Sequence, residues 1–357
     1  MVYKTQTGAR EIQRSPSVAR KEEVVQVFIT VDTEHSVGGA IEDPAKEPVG
    51  NEKRIFGRIG EKYYGIPLIL DIAERFNIPL TFFVDTVSGE YFGRGEMSAA
   101  SSFLLKRGQD IQLHLHPLFL NLSKRARSAR KYDPYLYNYD LGEQMDLVNS
   151  GKSFLESLGV SNLVAFRAGG FAANHDTLTA LEKTGFLVDS SYNLMALGRV
   201  CRLEGIKIND VFEYHKESFW ELPITNFVET SYRGLRALKP LDINGVSFPE
   251  IRSVLMQAQK KGMQAAVVLM HSFSFVTNSA YNSGKMRPRQ RVIKRFYALC
   301  KFLEQNKERF EVRSFGSLDK KRLCKMSKNA VNIVPRVPLV WTLARLIHQA
   351  QEHIVMR

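Results

Sequence analysis

Short apolar runs alternate with helix-like segments between residues 24 and 315. The runs VVQVFITVDT (24–33) and AAVVLMHSF (265–273) are apolar and too short for typical helices, so they predict buried strands. Segments such as GIPLILDIAERF (65–76) have helical periodicity instead. Continuous apolar strands separated by helices indicate a parallel sheet that is covered on both sides. Seven or eight such units would close into a barrel.

The same alternation predicts a single barrel domain with two extensions. Further strands are expected in IPLTFFVDT (78–86), DIQLHLHP, LVAFRAGG, FLVDSS, SFWELPIT and FEVRSF. Further helices are expected in SAASSFLLKRG, LGEQMDLVNSGKSFLESLG, NHDTLTALEKTG, where Asn174 is the expected N-cap and Gly185 the stop, and RQRVIKRFYALCKFLEQN. We predict a disordered lead at 1–23, a barrel at 24–317 and a basic helical appendage at 318–357.

The composition fits a globular chain in a reducing compartment. Of the 357 residues 44% are hydrophobic and 24% are charged, which suffices for a sizeable core. The three cysteines, Cys201, Cys300 and Cys324, are widely spaced and match neither a disulfide framework nor a metal knuckle. The first 23 residues lack the apolar stretch of a secretory signal peptide, and no run reaches the roughly 18–20 apolar residues that cross a bilayer. We therefore expect a cytoplasmic location.

The positive charge is concentrated in two segments. The net charge is +13, and KRARSARK (124–131) has five basic residues and no acidic one. Residues 320–357 have eight basic residues and one acidic residue. Such segments are typical of a solvated face or of a surface for an anionic partner, which here would be a membrane or an acidic glycan. No nucleic-acid-binding motif is recognisable in the sequence, so nucleic acid is not an expected partner.

The last 24 residues combine apolar and basic side chains. The segment VPRVPLVWTLARLIHQAQEHIVMR (334–357) resembles the basic amphipathic helices that lie in a membrane interface. A helix that packs on the barrel, or a dimer contact, is the alternative. The basic tail therefore makes peripheral contact with the inner membrane one of two expectations.

Polar side chains stand at the ends of the predicted strands. QLHLHP (112–117) places His114 and His116 two residues apart, so both imidazoles share one face of a strand. Two neutral imidazoles can bind a transition metal, and the alternative is a pair of pocket residues held by hydrogen bonds. Other strand ends supply Asp32, Glu34, Asp85, Arg167, Asp189, Glu221 and His271. In a barrel of parallel strands these ends meet at one rim.

Together these residue types suit metal-assisted hydrolysis. Asp32 and Glu34 point to the same side of an extended chain, so one could bind a metal while the other takes a proton from the attacking water. A zinc-like ion lowers the pKa of water to about 7. His271 could protonate a leaving amine, and Arg167 could keep the basic carboxylate ionised. Taken singly, Asp32 or Asp189 could be a turn residue and Arg167 a structural ion-pair partner.

Six short motifs in chain order resemble the polysaccharide deacetylases with a NodB-like domain, carbohydrate esterase family four. The similar stretches are TVDTE (30–34), IPLTFFV (78–84), GQDIQLHLHP (108–117), FRAGGF (166–171), GFLVDSSY (185–192) and VVLMH (267–271). They correspond to the family's Thr-Phe-Asp-Asp, ATFF, HEIGNHTxxH, FRxPY, GY…DSS and LLH motifs. The resemblance is greatest to members with an HLHP variant from bacterial surface-polysaccharide clusters. It implies an α/β fold, a distorted (β/α)7 barrel of the glycoside hydrolase/deacetylase type.

The resemblance also implies a role for each matched residue. Asp32 falls on the catalytic base and His271 on the general acid. Arg167 falls on the arginine that orients the base, and His114 on the first metal-binding histidine. Asp189, in the DSS segment, is a further catalytic candidate.

Three positions depart from the family pattern. The usual second aspartate falls on Thr33, so Glu34 would supply the carboxylate ligand. The usual second histidine lies four residues after the first, where this chain has Leu118, so His116 would serve instead. A Gly-Gly pair at 169–170 replaces Pro-Tyr, which removes an aromatic wall from the pocket.

The resulting prediction is a metal-dependent hydrolase of carbon–nitrogen bonds other than peptide bonds. It would remove acetyl from an N-acetylated sugar, with zinc, or else cobalt, nickel or iron, as the divalent metal. The substrate would be a lipid-linked or nucleotide-linked glycan in surface-polysaccharide or precursor metabolism. The loop at 35–62 would cover the site. A catalytically silent glycan-binding barrel and a metal-independent amidase or deformylase are the alternatives.

Overall fold

The computed structural model describes residues 24–122, 133–230, 236–277 and 286–346. The predicted lead at 1–23 and the basic segment at 124–131 lie outside these residues. The strands are β1 (Val25–Thr33), β2 (Arg58–Ile59), β3 (Lys62–Tyr63), β4 (Thr81–Asp85), β5 (Asp110–Leu115), β6 (Ala165–Ala168), β7 (Val188–Asp189), β8 (Phe212–His215), β9 (Phe219–Glu221), β10 (Asn226–Thr230), β11 (Arg236–Pro240), β12 (Ala265–His271) and β13 (Phe310–Arg313). The helices are α1 (Asn51–Arg54), α2 (Ile66–Arg75), α3 (Gly89–Phe92), α4 (Arg94–Lys106), α5 (Leu141–Ser157), α6 (His175–Lys183), α7 (Phe248–Lys261), α8 (Gln290–Glu304) and α9 (Lys320–Asn329).

The main sheet is parallel in all but one of its pairings. Its order is β12-β1-β4-β5-β6-β7-β9-β8, and β13 pairs with the first residues of β1. Only β8 and β9 run antiparallel to each other within it. Residues 241–243 lie beside β12, where the Ile243 amide donates to the Leu269 carbonyl at 2.9 Å. The sheet thus curls into an open barrel with helices outside, and the predicted distorted (β/α)7 fold is confirmed.

Each barrel strand has an interior and an exterior face. Along β1, Phe28 belongs to the apolar cluster inside the barrel, whereas Val27 and Ile29 belong to the cluster under the helices. Strand alternation therefore puts Thr30 and Asp32 on the interior face. This parity decides which polar side chains can meet at the rim.

Local signals in the sequence placed most of these elements correctly. Asn174 caps α6, since its side chain accepts a hydrogen bond from the Thr177 amide at 2.9 Å. Gly185 follows the helix with a φ of +88°, which suits glycine. No strand or helix is predicted from the sequence for residues 226–261, where the structure has the antiparallel pair β10–β11 and α7. These elements stand between two predicted strands and complete the seventh unit of the barrel.

The tail after residue 318 lies against the barrel as far as it is described. Leu323 and Met326 of α9 are buried in the interior cluster. Further on, the Val228 amide donates to the Pro335 carbonyl at 2.8 Å, and the Val337 amide donates to the Val228 carbonyl at 3.0 Å. No helix within the described residues has the length and apolar character needed to cross a membrane.

Candidate active site

Seven residues have a predicted catalytic or metal-binding role, and the carboxyl ends of neighbouring strands bring all of them except Asp189 to one end of the barrel. The register places Asp32 beside His271 across β1 and β12, and His114 beside Arg167 across β5 and β6. Glu34 lies just beyond β1, and His116 follows Leu115 at the end of β5. The ends of parallel strands share one edge of a sheet, which is the usual place for chemistry in such barrels.

Glu34, His114 and His116 converge on one point. Their ligand atoms all lie within 4.8 Å of one another, the one such group of three found among the described residues. Glu34 Oε2 is 2.5 Å from His116 Nε2 and 3.5 Å from His114 Nε2. Both Nε2 atoms are buried, and neither makes a hydrogen bond of acceptable geometry. Three donor atoms that face one another in this way leave a place for a shared cation.

A backbone hydrogen bond sets the tautomer of His114. Its Nδ1 lies 2.7 Å from the Arg167 carbonyl oxygen, which can only accept. Nδ1 must therefore carry the hydrogen, so the Nε2 lone pair points toward Glu34. Histidines that bind metals in proteins are usually held by such a bond on the other ring nitrogen.

The charges of Glu34 and His116 depend on each other. Burial alone would raise the pKa of the Glu34 carboxyl, but the neighbouring imidazoles hold it well below its usual range. Burial likewise opposes the charged form of His116, yet Glu34 and two nearby aspartates raise the pKa of this imidazole to about 9. In the absence of another cation, the His116 proton thus neutralises Glu34. A metal ion at this point would take over that role.

Two neighbours fix the position of His116. The Asp85 carboxylate accepts a hydrogen bond from the His116 backbone amide at 2.9 Å. The imidazole ring lies against Gly169, where an added Cβ would be only 2.5 Å from Nδ1 and 2.6 Å from Cε1. A glycine at 169 is therefore required for this ring position. The unusual histidine spacing and the missing Pro-Tyr pair are two parts of one local arrangement.

The loop at 35–62 contributes Arg54 to the site. Arg54 Nη2 is 3.1 Å from Glu34 Oε1, the oxygen that faces away from the histidines. Its guanidinium also stacks on the ring of Phe273, beyond the end of β12. The predicted covering loop thus reaches the metal-binding group. Nothing in its sequence singles Arg54 out, because the contact depends on how the loop folds.

Asp32 and Arg167 form a buried ion pair next to this group. Arg167 Nη1 is 2.5 Å from Asp32 Oδ1, and the arginine side chain is fully buried. The same nitrogen donates to Thr30 Oγ1 at 2.9 Å, and the guanidinium also donates to the carbonyl and hydroxyl oxygens of Ser190. The guanidinium lies over Phe83, 4.2 Å from the ring centroid. Asp32 is thus held in one orientation with a permanent counter-charge.

His271 lies on the other side of Asp32. Its Nδ1 is buried and has no hydrogen-bond partner among the described residues. Its backbone amide donates to Ser274 Oγ at 2.9 Å, and its ring packs against Phe273. The Ser272 amide donates to the Asp32 carbonyl at 2.9 Å, which ties the two strand ends together. His271 can therefore exchange a proton with a molecule in the site.

The donor set of Glu34, His114 and His116 fits a divalent transition metal. Two imidazole nitrogens and one carboxylate oxygen suit zinc, iron, cobalt or nickel, whereas calcium and magnesium prefer oxygen ligands only. The fixed tautomer of His114 and the buried Nε2 atoms without hydrogen bonds agree with this set. Thr33, at the usual aspartate position, turns away and donates to the Val31 carbonyl at 3.2 Å. Leu118 lies in a 3₁₀ helix at Pro117–Leu122.

The structure does not bring Asp189 to this site. Its strand neighbour Val188 faces the barrel interior, so Asp189 points to the opposite face. There it is fully buried beside Glu221 and accepts a hydrogen bond from Ser191 Oγ at 2.7 Å. Burial and the Asp189 charge raise the pKa of Glu221 well above its usual range, and burial also raises the pKa of Asp189. Burial thus favours the protonated form at this pair of carboxyl groups.

Comparison with solved structures identifies the fold. A candidate polysaccharide deacetylase from Mycobacterium smegmatis matches 91% of this chain and 99% of its own, with a TM-score of 0.52 and 18% identity. This chain has the fold of a polysaccharide deacetylase. No protein-family model and no curated protein matches the sequence.

More distant matches include two further deacetylase-fold proteins. A family 4 carbohydrate esterase from Streptomyces lividans covers 87% of this chain and 98% of its own, with 10% identity and a TM-score of 0.41. The peptidoglycan deacetylase PdaC from Bacillus subtilis covers 86% and 95%, with 11% identity and a TM-score of 0.40. At these values neither adds to the argument on function, which depends on the site itself.

Proposed function

We propose that this chain is a metal-dependent N-deacetylase, a hydrolase of carbon–nitrogen bonds other than peptide bonds. The observation that carries the proposal is the convergence of Glu34, His114 and His116 beside the Asp32–Arg167 ion pair. The fold is that of a polysaccharide deacetylase, which supports the same chemistry. We propose residues 24–317 as the catalytic domain.

Glu34, His114 and His116 would hold the divalent metal. When bound, such an ion supplies Lewis-acid activation of water and of the amide carbonyl. The hydrogen bond from His114 Nδ1 to the Arg167 carbonyl and the contact of Arg54 with Glu34 hold two of the three ligands in place. Asp85 and Gly169 do the same for the third ligand.

Asp32 would act as the general base. Its carboxylate is buried at the interior face, and Arg167 fixes its orientation. A water molecule between Asp32 and the substrate carbonyl would lose its proton to this carboxylate as it attacks. Arg167 stays charged throughout and keeps the carboxylate directed into the site.

His271 would act as the general acid. It extends from β12 next to Asp32, and its buried Nδ1 has no hydrogen-bond partner in the described part of the chain. In its protonated form it would give a proton to the amine as the carbon–nitrogen bond breaks. A base and an acid on adjacent strands can thus serve the two ends of one amide.

The substrate class is an N-acetylated sugar, either free in a glycan or linked to a lipid or nucleotide. We propose a precursor of a surface polysaccharide, rather than the finished polymer, as the substrate. Zinc is the proposed metal, with cobalt, nickel and iron as the alternatives for this donor set.

Metal content and acetate release test the proposal together. We expect about one metal per chain in the wild type and loss of both metal and activity in His114→Ala. The matched control is His175→Ala, since His175 is an exposed histidine that contacts Tyr214 rather than the site. Suitable substrates are N-acetylglucosamine oligomers and UDP-N-acetylglucosamine. No metal after loading with zinc, cobalt, nickel or iron would contradict the proposal, and metal without acetate release from any N-acetylated sugar would favour a silent binder.

A further inference from the structure

The helical segment at 339–346 has the reverse of the usual polarity of a surface helix. Its only polar side chains, Thr342 and Arg345, are 2% and 4% exposed. The side chains that face solvent are Val340 at 59%, Trp341 at 38%, Leu343 at 38% and Leu346 at 43%. A surface helix normally buries its apolar side chains and exposes its charges. We call these four side chains the apolar tail patch.

Arg345 fastens the segment to the barrel. Its guanidinium is 3.1 Å from the Glu250 carboxylate and also pairs with Glu229 of β10. The arginine is almost fully buried, so its charge is compensated by these two carboxylates rather than by solvent. This anchor holds the segment so that its apolar side chains face outward. The patch is therefore a fixed part of the surface.

The anchor places the patch near the end of the barrel that carries the site. Residues 241–243 run parallel to β12, so α7 begins at the end where the strands finish. Glu250 lies in the first turn of α7. Nearer the middle of α7, Gln257 exchanges two hydrogen bonds with the backbone of Arg336. The tail thus runs along α7 from its middle towards the site end.

The surroundings of the patch are basic. The elements that hold it are β10, β11, α7 and residues 335–346, which together carry seven basic residues and two acidic ones. The two acidic residues are Glu229 and Glu250, and both are paired with Arg345. Arg345 itself is buried and Lys239 also pairs with Glu229, so the exposed basic side chains are Arg236, Arg252, Arg336 and, at the far end of α7, Lys260 and Lys261. Apolar side chains, an interfacial tryptophan and positive charge together suit the surface of an anionic bilayer.

We propose that the apolar tail patch docks the protein on a membrane that contains anionic lipids. Trp341, Val340 and Leu343 would enter the boundary between headgroups and acyl chains, while the exposed basic side chains meet lipid phosphates. Because the patch lies towards the site end, docking would bring the active site close to the bilayer. A sugar linked to a membrane lipid would then be within reach. The docking surface is independent of the deacetylase proposal, since its test uses no substrate.

Tryptophan fluorescence gives a direct measure of docking. The chain has two tryptophans, and Trp220 is fully buried, so a change on adding vesicles reports on Trp341. We expect a blue shift and co-sedimentation with phosphatidylcholine vesicles that contain one-third phosphatidylglycerol. Binding to phosphatidylcholine alone should be at least about tenfold weaker, because each near-surface basic residue contributes to attraction by an anionic leaflet. Raised salt should weaken binding.

A matched pair of variants tests which side chains are responsible. Val340→Ser with Leu343→Ser should lower the vesicle partition coefficient about tenfold or more, since two apolar side chains no longer leave water. The control is Leu238→Ser, which removes a leucine of similar exposure, 40%, from β11. Leu238 alternates with Lys239, so it faces away from Glu229 and its partner Arg345. All these side chains are exposed, so the variants should unfold at the wild-type temperature.

Four results would overturn the proposal. One is a lack of binding to anionic vesicles, and another is equal binding to neutral and anionic vesicles. A third is a lipid-free dimer, detected by light scattering, in which the Trp341 emission is already blue-shifted, since a second copy would then cover the patch. The fourth is protection of Trp341 from acrylamide in the lipid-free monomer, since the chain itself would then cover it.

Discussion

Two pairs of acidic side chains at the ends of parallel strands lie in opposite environments. Asp32 lies near the end of β1 and Glu34 just beyond it. Asp32 contacts Arg167, and Glu34 contacts Arg54. Asp189 and Glu221 lie beside each other at the ends of β7 and β9, where burial raises the pKa of both carboxyl groups. The first pair suits the proton transfer and metal binding proposed above. The second pair is a closed structural contact.

The difference between the two pairs is one of strand parity. Asp32 is an even number of residues from Phe28, which packs inside the barrel. Asp189 is one residue from Val188, which also packs inside, so the aspartate faces the helices. A shift of one residue thus separates a carboxylate that is paired with an arginine from one that contacts Ser191 and a second carboxyl group. Position at a strand end therefore does not by itself make a carboxyl group a site residue.

The largest expected effect is the difference in kcat between Asp32→Asn and Asp189→Asn. Asp32→Asn should lower kcat for acetate release by about 10³-fold, because the general base is lost while the amide can still accept a hydrogen bond from Arg167. Asp189→Asn should leave kcat within about threefold of wild type, because no atom of Asp189 reaches the site. Metal content, measured alongside, should stay at the wild-type level in both. Equal losses of kcat in two folded variants would show that the parity argument is wrong.

The fold and most of the candidate site follow from local patterns. The strands, the N-cap Asn174 and the spacing of His114 and His116 depend on neighbours along one segment, so periodicity predicts them. Glu34 as the substitute carboxylate follows from its parity with Asp32. The parity of Asp189 was also readable in LVDSS, since Val188 and Ser190 alternate with it. The resemblance of its DSS segment to a family motif is what made Asp189 a candidate.

The remaining features depend on contacts between distant segments. The Arg54–Glu34 pair requires a particular fold of a long polar loop, and the Gly169–His116 contact depends on the distance between the ends of β5 and β6. The β10–β11 pair and α7 at 226–261 lack a strong periodic signal at their boundaries. A motif therefore indicates which residues could act, while packing decides how they are held.

The second prediction concerns the contact between Gly169 and His116, which we expect to affect metal affinity. Gly169→Ala should weaken metal binding about 10- to 100-fold, because its Cβ would lie 2.5 to 2.8 Å from the imidazole ring and displace it. Gly95→Ala is the control, since a Cβ there meets nothing within 4 Å. Zinc titration calorimetry measures the affinities. In the His116→Ala background, Gly169→Ala should no longer affect thermal stability, and a persistent loss would mean that the ring is not what the glycine accommodates.

The buried carboxyl pair should be visible in the pH dependence of stability. Because the pKa of Glu221 is raised in the folded state, its contribution is fully present below the ordinary glutamate pKa and is lost as the pH rises through the folded value. Between these two pKa values, the free energy of unfolding of the wild type should fall by up to about 1.4 kcal/mol per pH unit relative to that of Glu221→Gln. Urea unfolding between pH 4.5 and 9 measures the difference, with the exposed Glu204→Gln as control. A difference in unfolding free energy between wild type and Glu221→Gln that does not change with pH would exclude a raised pKa for Glu221.

The smallest expected effect concerns Arg54, the arginine that contacts Glu34 and has no counterpart beside Glu221 in the contacts described above. Arg54→Lys keeps the charge but not the planar fork that reaches Glu34 Oε1, so zinc affinity should fall by about three- to tenfold. Arg58→Lys is the matched control in the same loop, since its ion pair with Glu52 is half exposed on both sides. Equal zinc affinities for the two variants would mean that Arg54 does not orient Glu34. The neighbouring histidines alone would then account for the difference between Glu34 and the Asp189–Glu221 pair.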